Sequence, residues 1–218
     1  LLALAPVFPG VKAIQQATRS NPFAGQTITP LPETSREITQ LAKLFLLNGK
    51  VADTYIYQLA NESQIKNTGL NRYRYLHIAT HGFVNETHPN LSGLLLYPDS
   101  TSGEDGLLSV GEVYDLDLRA DLVTLSACET GIGTLASGEG VLGFSRAFLY
   151  AGAERLLVSL WQVQDQATAD LMLIFYEQIL NAKEPDYSKE LQKAKLKMIE
   201  TAEFNHPYFW SPFILIRA

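Results

Sequence analysis

Two side chains that can act as a nucleophile and a base each follow a short apolar run. Cys128 follows residues 122–127, and His81 follows residues 75–80 and is followed by Gly82. Apolar runs of this length that stop at glycine predict buried strands, so both side chains are expected at strand ends, where open α/β sheets place their chemistry. A cysteine protease needs a thiolate to attack the peptide carbonyl and an imidazole to move the proton. The spacing therefore predicts a dyad of Cys128 as nucleophile and His81 as general acid and base.

The same strand ends offer donors for the oxyanion that forms during such an attack. We expect the backbone N–H groups of Gly82 and Cys128 to point at the carbonyl oxygen, because glycine allows a close approach and unusual backbone dihedrals. A substrate side chain and a peptide backbone would bind beside them. The predicted reaction is therefore hydrolysis of a protein or peptide.

Alternating strand and helix patterns predict the elements that hold this site. Apolar runs predict strands, and amphipathic spacing predicts helices with a mostly parallel, six-stranded central sheet between them. The expected strands are 1–8, 52–59, 75–80, 122–127, 156–161 and 213–216, and the expected helices are 34–47, 62–66, 141–151, 165–180 and 188–203. Residues 91–97 and 107–108, separated by turn formers, predict an inserted hairpin. We expect one domain over residues 1–218.

Helix boundaries are predicted from local signals. Thr34-x-x-Glu37 and Ser109-x-x-Glu112 both match the capping box, in which two side chains satisfy the first N–H groups of a helix. Gly152 is expected to end the helix before it. These signals predict helix starts at residues 34 and 109.

Composition excludes several classes of protein. The net charge is −6 and the sequence pI about 5.2, which disfavours a nucleic-acid surface. One cysteine cannot form an internal disulfide, and the first apolar run is too short to span a membrane, so we expect a cytoplasmic protein without a membrane segment. The chain begins on Leu1 inside an apolar run, which suggests a fragment of a longer protein.

Five motifs follow one another in a fixed order along the chain: His77-Ile-Ala-Thr-His81-Gly82, Leu125-Ser-Ala-Cys128-Glu-Thr-Gly131, Gly138-Glu-Gly140 with Gly143-Phe144-Ser-Arg-Ala147, Ala151-Gly152-Ala153, and Ser159-Leu-Trp161-Gln-Val-Gln-Asp165. This ordered set resembles the CHAT domain, a caspase-like clan CD module that accompanies tetratricopeptide repeats in bacterial proteins and is related to separase. His81 precedes Cys128 by roughly fifty residues, which is the caspase spacing. The resemblance implies a caspase-like fold and a repeat region in the longer chain.

The resemblance also implies roles for further residues. Ser126, two positions before Cys128, corresponds to a residue that floors the pocket for the substrate side chain before the cut. Leu160 and Trp161 would pair with the substrate backbone as part of an edge strand. Asp165 is similar to an acidic residue of separase that is associated with a substrate Arg. The chain has Ser126-Ala-Cys128-Glu129-Thr130 in place of the caspase string, which argues against cleavage after Asp. An acidic pocket containing Asp165 would favour cleavage after Arg or Lys.

Each assignment has a simpler alternative. Cys128 would be a small buried hydrophobe, Asp165 the cap of the following helix, Ser126 a small residue that packing requires, and Trp161 a core residue. His77 is interpreted as a sheet histidine whose hydrogen bonds are satisfied rather than as a catalyst. The alternative function is a catalytically silent interaction module of the same fold.

Other chemistries are disfavoured by spacing. Gly138-x-Gly140-x-x-Gly143 matches a dinucleotide fingerprint, but a long loop separates it from the preceding strand and Glu154 comes too early for the ribose acid. One cysteine and scattered histidines give no metal-ligand spacing, and an esterase G-x-S-x-G is absent. We therefore expect neither a cofactor nor a metal.

Overall fold

The computed structural model describes residues 1–8, 30–83, 90, 92–99, 101–126 and 139–217. The strands are β1 (Leu2–Ala5), β2 (Asp53–Ile56), β3 (Tyr75–Ala79), β4 (Gly82–Phe83), β5 (Gly93–Leu95), β6 (Leu107–Ser109), β7 (Leu122–Ser126), β8 (Arg155–Ser159) and β9 (Phe213–Arg217). The helices are α1 (Glu33–Leu47), α2 (Glu62–Asn67), α3 (Val110–Val113), α4 (Glu139–Tyr150), α5 (Asp165–Asn181) and α6 (Tyr187–Glu200). Most differ from the predicted spans by a few residues at each end.

Six of the strands form one sheet in the order β2-β1-β3-β7-β8-β9. The first five are parallel, and β9 runs antiparallel to β8, with Ser159 opposite Phe213. Helices pack on both faces of this sheet. The expected fold class, an α/β domain with a mostly parallel six-stranded sheet, is confirmed.

The predicted hairpin is present as part of a three-stranded sheet in the order β4-β5-β6. β5 and β6 are antiparallel, as expected, and β4 adds a third strand through Gly82 opposite Leu94. The sequence signal missed β4 because two residues are too few for an alternation pattern. This small sheet follows His81 directly and therefore fixes the chain beyond it.

The central strands alternate their side chains between two different environments. Ile78 and Leu125 face a cluster that also contains Phe148 of α4, and all three are at most 2% exposed. Ala79 and Leu122 point to the other side, where α1, α5 and α6 supply the packing. Burial on both faces explains why these strands read as continuous apolar runs in the sequence.

The two predicted capping boxes have different outcomes. Ser109 and Glu112 form a complete capping box at the start of α3, as predicted. Thr34 and Glu37 do not form one: α1 begins at Glu33 after Pro32, without a side-chain cap. Thr34 Oγ1 instead donates to Leu31 O at 2.6 Å.

Gly152 ends α4, as predicted, with a φ of +111°. A Cβ at this position would collide with Leu118 O, so a larger residue would have to displace the chain. No helix in the described part of the chain is both long enough and apolar enough to cross a membrane.

Candidate active site

The two strands that carry the predicted dyad are neighbours in the sheet. β3 and β7 are parallel, and their last paired residues are Ala79 and Ser126. Thr80 N–H extends the pairing by donating to Ser126 O at 3.1 Å. Along the sequence, His81 and Cys128 each follow the final pair by two residues. Cys128 lies outside the described residues, which resume at residue 139.

His81 is held in a nearly closed pocket. Its side chain is 2% exposed, and its ring stacks on Phe8 with a centroid distance of 6.0 Å and an interplanar angle of 28°. Phe8 also stacks on Tyr97 at 6.5 Å. Nothing in the sequence pattern pointed to Phe8, because its approach to His81 depends on the path of the chain after β1.

The backbone around His81 is fixed by the small sheet. Leu95 N–H donates to His81 O at 2.9 Å, which makes residues 81 and 95 a hydrogen-bonded pair. Hydrogen-bonded and non-hydrogen-bonded pairs alternate in an antiparallel ladder, so Gly82 and Leu94 form the non-hydrogen-bonded kind. The N–H of Gly82 therefore points away from β5.

A buried carboxylate lies beneath this rim. The side chain of Glu37 is fully buried, and its Oε1 lies 2.7 Å from His77 Nε2 and accepts from Ser126 Oγ at 2.8 Å. Tyr176 OH continues the network to His77 Nδ1 at 3.4 Å and to Thr124 Oγ1 at 2.9 Å. The interpretation of His77 as a sheet histidine with satisfied hydrogen bonds is confirmed. Ser126, the predicted pocket floor, is buried within the same network.

Glu37 was misassigned at the sequence level, although a signal for its burial was present. The buried residues of α1 are Thr34, Glu37, Ile38, Leu41 and Phe45, which follow helical spacing. Glu37 therefore lies on the apolar stripe rather than on the exposed side of a capping box. Sequence reasoning therefore missed Glu37 as a buried residue of the site.

Asp165 lies close to the same network, but it does not cap its own helix. Gln164 is the N-cap residue of α5 and makes no side-chain cap bond, whereas Asp165 Oδ2 accepts from the N–H of Glu33 at 2.8 Å. The helix-cap interpretation of Asp165 was therefore wrong for α5, since the carboxylate binds the first turn of α1. Its other oxygen is buried and has no hydrogen-bond partner among the described residues.

Burial and neighbouring charges change the pKa of Asp165. Burial raises the pKa of Asp165 to about 6, and the neighbouring charges of Glu37 and Glu33 act in the same direction. The N–H of Glu33 and the charge of His81 act against this rise in the pKa. Asp165 is thus close enough to His81 for the two charges to interact.

The expectation of an edge strand at Leu160 and Trp161 was wrong. β8 ends at Ser159 and lies between β7 and β9, and Leu160 N–H donates to Pro212 O at 3.1 Å. The sequence could not show this because the partner, β9, comes from the last residues of the chain.

Trp161 is partly exposed rather than a core residue. Its Nε1 donates to Tyr208 O at 3.1 Å, and the two rings lie 6.3 Å apart. Tyr208 OH in turn donates to Gln162 O at 2.7 Å. The segment before β9 thus holds the chain that follows β8 at the same rim as His81.

Another acidic cluster surrounds Lys66. Carboxylate oxygens of Glu62, Glu104 and Glu112 lie 3.0, 2.7 and 2.7 Å from Lys66 Nζ. Burial lowers the pKa of Lys66, but its bonds to these glutamates outweigh burial and raise it overall. The ammonium group occupies the centre of the cluster, so these glutamates act as its structural partners.

The sheet order, the helices on both faces and the paired strand ends define a caspase-like α/β protein. A model of the CHAT domain family matches residues 8–218. The chain therefore belongs to the CHAT domain family, a caspase-like family of clan CD, as its motifs predicted.

Two relatives carry the name of a tetratricopeptide repeat protein. The chain is 36% identical to Tetratricopeptide repeat protein 28 of Homo sapiens over 111 residues and 35% identical to that of Mus musculus over the same length. The match covers 50% of this chain but 4% of each relative. The name describes those relatives, and the repeat region and the bacterial origin expected from the motifs stay predictions for this chain.

Proposed function

We propose that this domain is a cysteine endopeptidase in which Cys128 attacks the peptide carbonyl and His81 transfers the proton. The observation that carries the proposal is the pairing of Ala79 with Ser126 in adjacent parallel strands. Neighbouring strands lie about 4.8 Å apart, so residues that follow the same pair by equal steps leave one rim of the sheet side by side. Membership of a caspase-like family supports the same assignment.

The reaction follows from these groups. His81 takes the proton of the Cys128 thiol, the thiolate adds to the carbonyl, and His81 returns the proton to the leaving amine. The N–H of Gly82, which points away from β5, and that of Cys128 are the proposed oxyanion donors. Water then hydrolyses the acyl-enzyme and restores the thiol.

Substrate selection is assigned to four residues at the same rim. Ser126 would floor the pocket, Leu160 and Trp161 would contact the substrate backbone, and Asp165 would favour Arg or Lys before the cut. A carboxylate near His81 supports a preference for a cation, since an acidic residue in that pocket would be repelled. The substrate is proposed to be a protein, with a repeat region elsewhere in the same longer chain.

One observation favours the silent interaction module as a second candidate. The side chain of His81 is 2% exposed and covered by Phe8, which leaves little room for a substrate in this conformation. In that case the domain would bind partners through its surface and its thiol would behave as an ordinary cysteine.

Alkylation of the single cysteine separates the two candidates. For a dyad, iodoacetamide should modify the protein near neutral pH, and His81→Ala should slow the reaction by about 10-fold because the thiolate loses its cationic partner. His206→Asn is the matched control, since exposed His206 accepts from Tyr208 N–H and Asn can also accept that bond. Equal rates for wild type and His81→Ala would contradict the dyad, whereas denatured samples of all variants should react alike.

Peptide cleavage tests the pocket assignment. Peptides that differ in the residue before the cut, with Arg, Lys, Asp or Leu, should be cleaved fastest after Arg or Lys. Asp165→Asn should reduce the preference for Arg over Leu by about 10-fold, the size of effect that one charged contact gives. An unchanged preference would remove Asp165 from the pocket, and Cys128→Ser should abolish cleavage of every peptide.

A further inference from the structure

Glu37 connects the two strands that lead to the proposed dyad. Its Oε1 binds His77 in the middle of β3 and Ser126 at the end of β7. His77 lies four residues before His81, and Ser126 lies two residues before Cys128. One carboxylate oxygen on a neighbouring helix therefore contacts both strands shortly before they reach the rim of the sheet.

The helix that carries Glu37 is itself fixed at the same end. The N–H of Glu33 binds Asp165 Oδ2, and Arg36 forms an ion pair with Asp170 at 3.0 Å. Both bonds join the first turns of α1 to the first turns of α5. The carboxylate of Glu37 is thus presented to the strand ends by two helices that are tied together.

Packing alone does not explain a glutamate at position 37. The side chain is fully buried on the apolar stripe of α1, and burying a carboxylate costs free energy that an apolar residue of similar size would not. Its second oxygen, Oε2, has no hydrogen-bond partner among the described residues. The directional bonds to His77 and Ser126 are what an apolar side chain cannot supply.

We propose that Glu37 is a positioning residue of the dyad, which sets the distance between the ends of β3 and β7 through its bonds to His77 and Ser126. This inference rests on the proposed function and deepens it. Catalytic groups must be held close to their reactive geometry, and a displacement of about 1 Å can reduce the rate by about 100-fold. Glu37 acts through the strands and does not touch the substrate.

The test compares two substitutions of similar size. Glu37→Met fills the space but leaves His77 and Ser126 without their acceptor, and Glu37→Gln retains an oxygen that can accept both bonds. Cys128, the only cysteine, allows its alkylation rate near neutral pH to be read directly. Glu190→Met is the matched control, because Glu190 is 5% exposed, pairs with Lys193 on α6 and lies in a different helix.

We expect Glu37→Met to lower the alkylation rate and kcat by about 10-fold with KM changed by less than about 2-fold, because chemistry rather than binding is disturbed. Glu37→Gln should recover to within about 3-fold of wild type, and Glu190→Met should match wild type even if its melting temperature falls. Equal rates for Glu37→Met and wild type, or an equal loss in Glu190→Met, would overturn the proposal. An equal loss in Glu37→Gln and Glu37→Met would also overturn it, since hydrogen-bond positioning would not be the cause.

If Glu37→Met does not fold, a second variant tests the same proposal. Ser126→Ala removes one of the two bonds with a small change in volume, and circular dichroism would show whether the fold is retained. A fall in kcat without a change in KM supports positioning, whereas an unchanged kcat overturns it. The failure of the proposed function looks different: wild type and His81→Ala would then be alkylated at the same rate, which would overturn both assignments.

Discussion

The two faces of strands β3 and β7 carry different types of side chain, although both faces are buried. Leu76, Ile78, Val123 and Leu125 face an apolar cluster closed by α4 and its neighbours. The opposite positions His77, Thr124 and Ser126 are polar, are fully buried, and meet Glu37 and Tyr176. Adjacent residues of one strand thus enter an apolar environment on one side and a hydrogen-bonded network on the other.

The apolar contacts and the polar network make different contributions to the folded structure. Apolar burial stabilises in proportion to area and is tolerant of exact geometry. Hydrogen bonds between buried groups contribute less net free energy, but they are directional and costly to leave unmade. Apolar packing on both sides of the sheet therefore supplies most of the stability, and the polar network within one side fixes the positions of the strand ends beneath the proposed dyad.

The largest effect on stability is expected on the apolar face. Ile78→Ala should lower the free energy of unfolding by about 2–5 kcal/mol, because Ile78 is 1% exposed and its loss leaves a cavity. Urea denaturation measures this difference, and Ile199→Ala, at a side chain 41% exposed, should change it by less than about 0.5 kcal/mol. Similar losses for the two variants would contradict the role assigned to this face.

An intermediate effect is expected on the polar face. Tyr176→Phe keeps the ring but removes the hydroxyl that binds Thr124 and His77, so it should cost about 1–3 kcal/mol in the free energy of unfolding. The control is Tyr150→Phe, because Tyr150 is 77% exposed and should tolerate the change. If Tyr176→Phe is as stable as wild type, the network contributes no directional stabilisation.

The smallest effect, and one of opposite sign, is expected at Asp165. Burial raises the pKa of Asp165 to about 6 in the folded protein, so the folded state holds this proton more tightly than the unfolded state does. The stabilisation is complete below the ordinary Asp value of 3.8 and is lost as the pH rises through about 6. Asp165→Asn should therefore be more stable than wild type above pH 6, by about 1 kcal/mol after allowance for partial exposure.

Unfolding measured at about pH 4 and about pH 8 tests the sign, because the advantage of Asp165→Asn should appear only at the higher pH. Asp186→Asn offers a control of opposite sign. The N–H of Lys189 lowers the pKa of exposed Asp186, so this substitution should reduce stability at the higher pH. A gain for Asp165→Asn that is equal at both pH values would rule out the buried charge as its cause.

Local signals predicted the elements well and their contacts less well. The run before Cys128 and the capping box at Ser109 act through neighbouring residues, and the structure contains both β7 and the start of α3. The capping box at Thr34 failed because the same local pattern was outweighed by the burial of Glu37 against β3 and β7. Where local and long-range interactions disagree, the sequence pattern alone does not show which prevails.

The sequence by itself determined the order of strands and helices, the family and the candidates His81 and Cys128, because periodicity and motif spacing are properties of neighbouring residues. Only the tertiary structure decided that Phe8 stacks on His81, that Asp165 binds the first turn of α1, and that β9 covers β8. These contacts join residues far apart in the chain. Their geometry depends on how the helices pack on the sheet, which no local pattern encodes.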